Sequence, residues 1–333
     1  TSRSFHHRKH RAFGKNGFEC SKVGLGCWQI GSEWGFIQDE AAMQILNTAY
    51  ENGVTFFDTA DVYGDGRSET FVGEFIKDKK DKVFVATKVG RSDSLYPDKY
   101  SERGVRECVE ASLRRLGVDA LDLIQLHCVP ASVMKQADIF EWLRKFKEEG
   151  KIKNFGASVE SMDEALLCLG QEGLCSLQII FNIFRQKPIE KVLGEAQKED
   201  VAIIVRLPLA SGLLAGKFTK ESKFAEDDHR NFNRDGQEFN VGETFAGLPF
   251  EKGVELADEL RSFVPEGMTM AELALRWILD FDAVSVIIPG ASRPQQAAAN
   301  AKVSELSPLD KDLHEKLRDF YEAKVKSYIR GKY

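Results

Sequence analysis

The apolar pattern changes period every ten to twenty residues. Ala42, Ile45, Leu46 and Ala49 recur at helical spacing, and Gly53 stands where a helix C-cap belongs. Val54, Phe56 and Phe57 then form a short apolar run ending at Asp58. The unit returns with Val105, Cys108, Val109, Ser112, Leu113 and Leu116, closed by Gly117 and followed by an apolar segment over 121–126 that ends at His127. Ile139, Trp142, Leu143 and Phe146 make another helical stripe, stopped at Gly150. Read this way, the chain predicts strands near 22–26, 54–57, 82–87, 121–126, 152–157, 177–181, 201–205 and 284–288, with helices between most of them. The strands are apolar at nearly every position, as in a parallel sheet covered on both faces. Strand-helix units in this number predict a closed (β/α)8 TIM barrel, with a doubly wound sheet as the alternative. The barrel is expected as a single domain over 1–333, ending in a C-terminal helix, with residues 1–13 a basic tail or hairpin. Residues 218–250 follow the seventh strand, carry no clear period and are expected as a long loop at the barrel mouth, functional or disordered.

Composition narrows the class. With 43% hydrophobic and 29% charged residues the chain can build a large core. A net charge of -6 gives no footprint for nucleic acid or an anionic membrane. The cluster Arg3, His6, His7, Arg8, Lys9, His10 and Arg11 is the exception, read as a solvated terminus. No apolar run approaches the roughly 18 residues of a membrane span, and the N-terminus lacks the apolar core of a signal peptide. The cysteines (Cys20, Cys27, Cys108, Cys128, Cys168 and Cys175) have no paired or metal-binding spacing and read as reduced thiols of a cytoplasmic protein. No metal is expected, and oligomeric state is not encoded legibly.

A barrel carries its chemistry just past the C-terminal ends of its strands. Asp58, Lys88 and His127 stand there, and Tyr63 lies on the loop that Asp58 launches. Singly, these residues read as a cap, a rim charge, a structural histidine and a turn residue. Together, at the ends of adjacent strands, an acid, a cation, an imidazole and a phenol can converge.

These residues sit in segments that resemble the aldo-keto reductases, and their bacterial branches most closely. The resemblance is carried by Phe56-Phe57-Asp58-Thr59-Ala60-Asp61-Val62-Tyr63-Gly64, Gly24-Leu25-Gly26-Cys27-Trp28-Gln29, Thr87-Lys88 and Leu121-Asp122-Leu123-Ile124-Gln125-Leu126-His127. Gly156-Ala157-Ser158, the segment 208–217 and Ile288-Pro289-Gly290-Ala291-Ser292-Arg293 follow in order. It implies reduction of an aldehyde or ketone to an alcohol by hydride transfer, with Tyr63 as general acid, Lys88 and Asp58 tuning it and His127 orienting the carbonyl. A lysine beside a phenol favours the phenolate, so Tyr63 is expected below its ordinary value of about 10.

The cofactor implied is NADP, with NAD the less favoured choice. No Rossmann fingerprint follows Gly24-x-Gly26, and residues 212–217 fall short of a P-loop. The resemblance instead places nicotinamide near Trp28, Asp58, Ser158 and Gln178, with Arg206 stacked on its ring. Leu207, Pro208, Leu209, Ser211, Gly212 and Lys217 are expected over the pyrophosphate. Gly290, Ser292, Arg293, Gln296 and Asn300 are expected at the adenosine end, where Pro294 opens a helix whose N-terminus suits a 2′-phosphate. Trp28, Tyr63 and His127 would wall a small-molecule carbonyl substrate, and Trp34 the outer pocket. Arg206 stands where many members place an aromatic ring, and Val159 where many have Asn. Two other classes are weighed: an NADP-binding regulatory or redox-sensing subunit with little turnover, and a metal-dependent barrel hydrolase. The hydrolase needs more histidines at strand ends than His127.

Overall fold

Side-chain alternation along the strands sorts the apolar residues into two separate clusters. Phe57, Val85, Ile124, Ile203, Val205 and Ile287 join the large outer cluster between sheet and helices. Phe56, Phe84, Ala86, Leu123, Ala202, Ile204 and Val286 form a second cluster of their own. Such segregation by parity is what a closed sheet produces, one face turned to the helices and the other to the axis.

The structure, a computed structural model, describes residues 9–31 and 39–333. Among these residues, eight parallel strands form one sheet in chain order. After a short hairpin of β1 (His10–Ala12) and β2 (Glu19–Ser21) come β3 (Leu25–Gly26), β4 (Phe56–Asp58), β5 (Phe84–Val89) and β6 (Leu123–His127). The sheet continues with β7 (Phe155–Ser158), β8 (Leu174–Ile180), β9 (Ala202–Arg206) and β10 (Val284–Ile287). Parallel bridges from Val23 to Ile287 and from Gly26 to Gly290 bring the edges together. Gly24 donates its N–H to the Ile287 carbonyl at 2.7 Å, and Ile287 donates to that of Lys22 at 3.0 Å. The sheet is therefore a barrel, and the doubly wound alternative falls.

Each barrel strand overlaps an expected one, with bounds that differ by up to three residues. Gly117 caps the helix Glu102–Leu116 in the left-handed conformation at φ 66°. Basic residues near the start of the chain do join a hairpin, from His10; residues 1–8 lie outside the described residues, as does Trp34. Phe13, between the hairpin strands, is fully buried and packs its ring 5.3 Å from that of Phe56 and 5.0 Å from that of Phe84. It closes the N-terminal end of the barrel, so the open end is the other one.

The segment 218–250 is structured by polar groups. Asn233 is fully buried. Its Oδ1 accepts from the N–H groups of Glu238 and Phe239 at 2.9 and 2.8 Å, and its Nδ2 donates to Thr244 Oγ1 at 3.1 Å. Arg185, also buried, donates to the Ala246 carbonyl at 3.1 Å. A loop built on side-chain-to-backbone bonds leaves no hydrophobic period in the sequence. The C-terminal helix is Lys311–Phe320. No helix of the described residues is long and apolar enough to cross a membrane.

Candidate active site

Followed toward the C-terminal ends of the strands, the inner register turns from apolar to polar. Phe56 gives way to Asp58, Ala86 to Lys88, Leu123 to Gln125, and Ile204 to Arg206. Parallel pairing holds these levels together: Asp58 lies opposite Ala86, Lys88 opposite Gln125, and Ser158 opposite both His127 and Gln178. A cavity of about 480 Å³ opens above them, lined among others by Trp28, Tyr63, Arg91, His127, Arg206 and His229.

Asp58 and Lys88 are both nearly fully buried, and Lys88 Nζ donates to Asp58 Oδ2 at 2.5 Å. The same ammonium reaches Tyr63 Oη at 3.0 Å and the Thr59 carbonyl at 3.1 Å. Asp58 Oδ1 accepts from the amides of Gln125 at 3.0 Å and Gln178 at 2.9 Å, and those amides bond each other at 2.8 Å. A buried carboxylate is tolerable when its lone pairs are filled in this way. Burial alone would lower the Lys88 pKa, but Asp58 and then Tyr63 outweigh it and hold it above the ordinary lysine value. Lys88 is a fixed cation.

Tyr63 departs from expectation. Burial, the largest influence, pushes the phenol above 10, and the opposing pull of Lys88 does not overcome it. Tyr63 is thus a protonated phenol at neutral pH, a proton carrier and not a phenolate. His127 crosses the Tyr63 ring edge-on with centroids 6.1 Å apart. Burial, then Lys88, Arg91 and Arg206, hold this imidazole well below 6.5, so it is neutral. Its Nδ1 is buried without a partner among the described residues.

Tyr63 is placed by a turn that only glycine can follow. Gly64 has φ +61°, and a Cβ there would overlap the carbonyl oxygen of Gly31. Because that neighbour is backbone, no rotamer change relieves it. Gly64→Ala is expected to displace the phenol and lower kcat by about 10²-fold, given the sensitivity of such reactions to shifts near 1 Å. A kcat within twofold of wild type would show that the turn does not position Tyr63.

Other expected site residues divide. Trp28, Ser158, Gln178, Arg206, Leu207, Pro208 and Gly290 line the cavity. Leu209, Ser211, Gly212, Lys217, Ser292, Arg293, Gln296 and Asn300 do not. The Gly212 N–H is already donated to Leu209 O at 3.0 Å. Ser211 Oγ donates to the Glu243 carbonyl at 3.3 Å and accepts from Phe245 N–H at 3.1 Å. Lys217 is exposed. The helix Pro294–Lys302 begins where expected, with Ser292 and Arg293 exposed beside it. Gln296 Oε1 accepts from the Ser292 N–H at 2.8 Å, and Asn300 Nδ2 donates to Gly290 O at 3.4 Å.

Arg206 is held in place at the cavity wall. It donates to Glu243 Oε2 at 2.5 Å and to the Val159 carbonyl at 3.2 Å. Burial opposes charge on both partners, yet Glu243 raises the Arg206 pKa and Arg206 lowers that of Glu243. This ion pair ties the loop 218–250 across the mouth, where His229, Phe232 and Phe239 also line the cavity. Gln125 and Glu243 escaped the sequence reading. A polar residue two positions before His127 on an inner register was the available signal for Gln125; nothing local marks Glu243. Cys128 is buried and its thiol is pushed up to about 12 by burial, which fits packing and not reactivity.

The sequence profile of the aldo/keto reductase family matches residues 22–322. The chain belongs to this family. An aldo-keto reductase of Bacillus subtilis is 32% identical over 86% of this chain and 86% of its own length. The structure of a glycerol dehydrogenase from Gluconobacter oxydans covers 98% of this chain and 99% of its own, with TM-score 0.79 and 27% identity. An aldo-keto reductase from Klebsiella pneumoniae, solved in complex with NADPH, shares the fold at TM-score 0.68 and 21% identity, covering 97% and 99% of the two chains.

Proposed function

We propose that this aldo-keto reductase reduces an aldehyde or ketone with NADPH, and that Tyr63 supplies the proton. The observation that carries the reading is the buried chain from Asp58 through Lys88 to Tyr63, at 2.5 and 3.0 Å, on the floor of a cavity.

The residues present fit a nicotinamide. Gln178 spends its amide N–H groups on Asp58 and Gln125, while its carbonyl oxygen has no donor among the described residues. The Ser158 hydroxyl lines the same cavity and likewise has no partner among them. One acceptor and one hydroxyl match the two ends of a carboxamide. Residues 207–212 include Leu207, Ala210 and Ser211 at φ 52°, 51° and 58°, the kind of strained backbone that persists at ligand clamps. The NADPH in the Klebsiella neighbour supports the phosphorylated cofactor, and Arg293 at a helix N-terminus is suited to its extra phosphate.

Held by Ser158 and Gln178, a reduced nicotinamide would supply the hydride for the carbonyl carbon. The developing charge on the carbonyl oxygen takes the Tyr63 proton, giving the alcohol and leaving a phenolate next to Lys88. Lys88 lowers the cost of that phenolate without itself giving up a proton, because Asp58 keeps it charged. Neutral His127 offers a ring nitrogen to orient the carbonyl oxygen. Trp28, Tyr63 and His127 wall the reacting end, and the apolar rings of Phe232 and Phe239 favour a substrate with a partly apolar body.

A carbonyl panel read with NADPH and with NADH separately tests this reading. Arg293→Ala is expected to raise KM for NADPH about tenfold and leave that for NADH unchanged. Equal effects on both cofactors would remove Arg293 from phosphate recognition.

A further inference from the structure

A second cleft, of about 530 Å³, opens at the other end of the barrel, where β3 and β10 begin. Most charges there are already committed. Arg11 donates to the carbonyls of Leu279 at 2.5 Å, Val284 at 2.6 Å and Phe281 at 3.2 Å, capping the helix Met270–Leu279. Arg276 donates to Asp280 at 2.8 Å and to the Leu306 carbonyl at 3.1 Å. Asp280 also meets His314 Nε2 at 2.7 Å and accepts from the Leu309 N–H at 2.9 Å.

Lys22 is different. It is only 9% exposed and lines the cleft, yet its ammonium has no hydrogen-bond or ion-pair partner among the described residues. The stem is buried, and the ammonium, reached from the cleft, is a donor left for a ligand. It faces Arg11 from β1, Arg276 from the helix Met270–Leu279, and Lys311 and His314 from the C-terminal helix, against Asp280 and Asp282. Asp280 is shared between Arg276 and His314, and Asp282 is exposed, so the uncommitted charge inside is positive. Burial first, then Arg11 and Arg276, bring the Lys22 pKa down to about 8. The C-terminal helix, Lys311–Phe320, starts at the rim, and its N-cap Asp310 makes no side-chain cap bond to the first-turn N–H groups.

We infer that this cleft binds phosphate, free or as the ester of a small metabolite, with Lys22 at its base and Lys311 and the helix N-terminus at its rim. An ammonium freed of other partners and uncapped helix N–H groups are the donors a phosphate takes. Leu279, Phe281 and Leu309 offer an apolar wall to the carbon portion of an ester. The cleft lies at the end of the barrel away from Tyr63, so its occupation is separable from carbonyl reduction.

Calorimetric titration with inorganic phosphate and with glycerol 3-phosphate, on protein saturated with NADP, tests the site. Lys22→Gln is expected to weaken binding at least about tenfold and Lys311→Gln about threefold, with turnover unchanged in both. Tighter binding of the ester assigns the site to organic phosphates, and equal binding assigns it to free phosphate. No binding by the wild type, or an unchanged affinity in Lys22→Gln, overturns the inference. Should Lys22→Gln fail to fold, a pH series on the wild type decides. Affinity is expected to fall about tenfold between about pH 7 and pH 10 as the ammonium is lost, and a constant affinity overturns the site.

Discussion

Tyr63→Phe is expected to lower kcat by about 10³-fold while leaving the Kd for NADP within a factor of about three. The substitution removes one oxygen, the atom that Lys88 Nζ reaches at 3.0 Å. Lys88 keeps Asp58 at 2.5 Å and the Thr59 carbonyl at 3.1 Å, so the ammonium retains two of its three partners and the floor of the cavity stays in place. The ring also remains, and with it the edge-on contact to His127. What disappears is the proton that must reach the carbonyl oxygen as hydride arrives at carbon. Steady-state kinetics with a fluorescence titration of NADP separate the two effects. A Tyr63→Phe variant with wild-type kcat would remove the phenol from the chemistry.

Lys88→Met is expected to abolish turnover and to cost about 3–5 kcal/mol of stability, because it strands a buried carboxylate. Asp58 would keep only the two amide donors from Gln125 and Gln178. Asp58→Asn in the same chain removes the stranded charge. The double variant Asp58→Asn/Lys88→Met is therefore expected to recover at least about 2 kcal/mol relative to Lys88→Met, without recovering activity. Urea unfolding of the two single variants and the double variant measures the coupling. Additive losses would mean that the pair does not interact, and recovered activity would mean that the lysine has no part in lowering the cost of the phenolate.

The strands were legible because a sheet covered on both faces writes long apolar runs, as over 121–126, and the polar residue ending each run marks the mouth. Asp58, Lys88 and His127 were readable for that reason, and Tyr63 through the motif around it. Gln125 was passed over because a single amide inside an apolar strand looks like filler until the inner register is known; only pairing with Lys88 and Asp58 gives it a place. The direction of the Tyr63 shift is not legible, because sequence displays the neighbouring cation but not the burial that outweighs it. Arg206 was identified as a departure, yet its partner Glu243 lies 37 residues on, inside a loop organised by Asn233 and its polar bonds. Such bonds carry no period.

The most direct test is single-turnover oxidation of NADPH bound to the protein, followed at the reduced-nicotinamide band after mixing with an aldehyde. The account predicts complete loss of the band. With the phenol held above its ordinary value of about 10, the proton stays on Tyr63 and the rate should be level from about pH 6 to about pH 10. Bound NADPH that stays reduced at every pH would contradict it, and would make this chain a cofactor-binding subunit instead of a reductase.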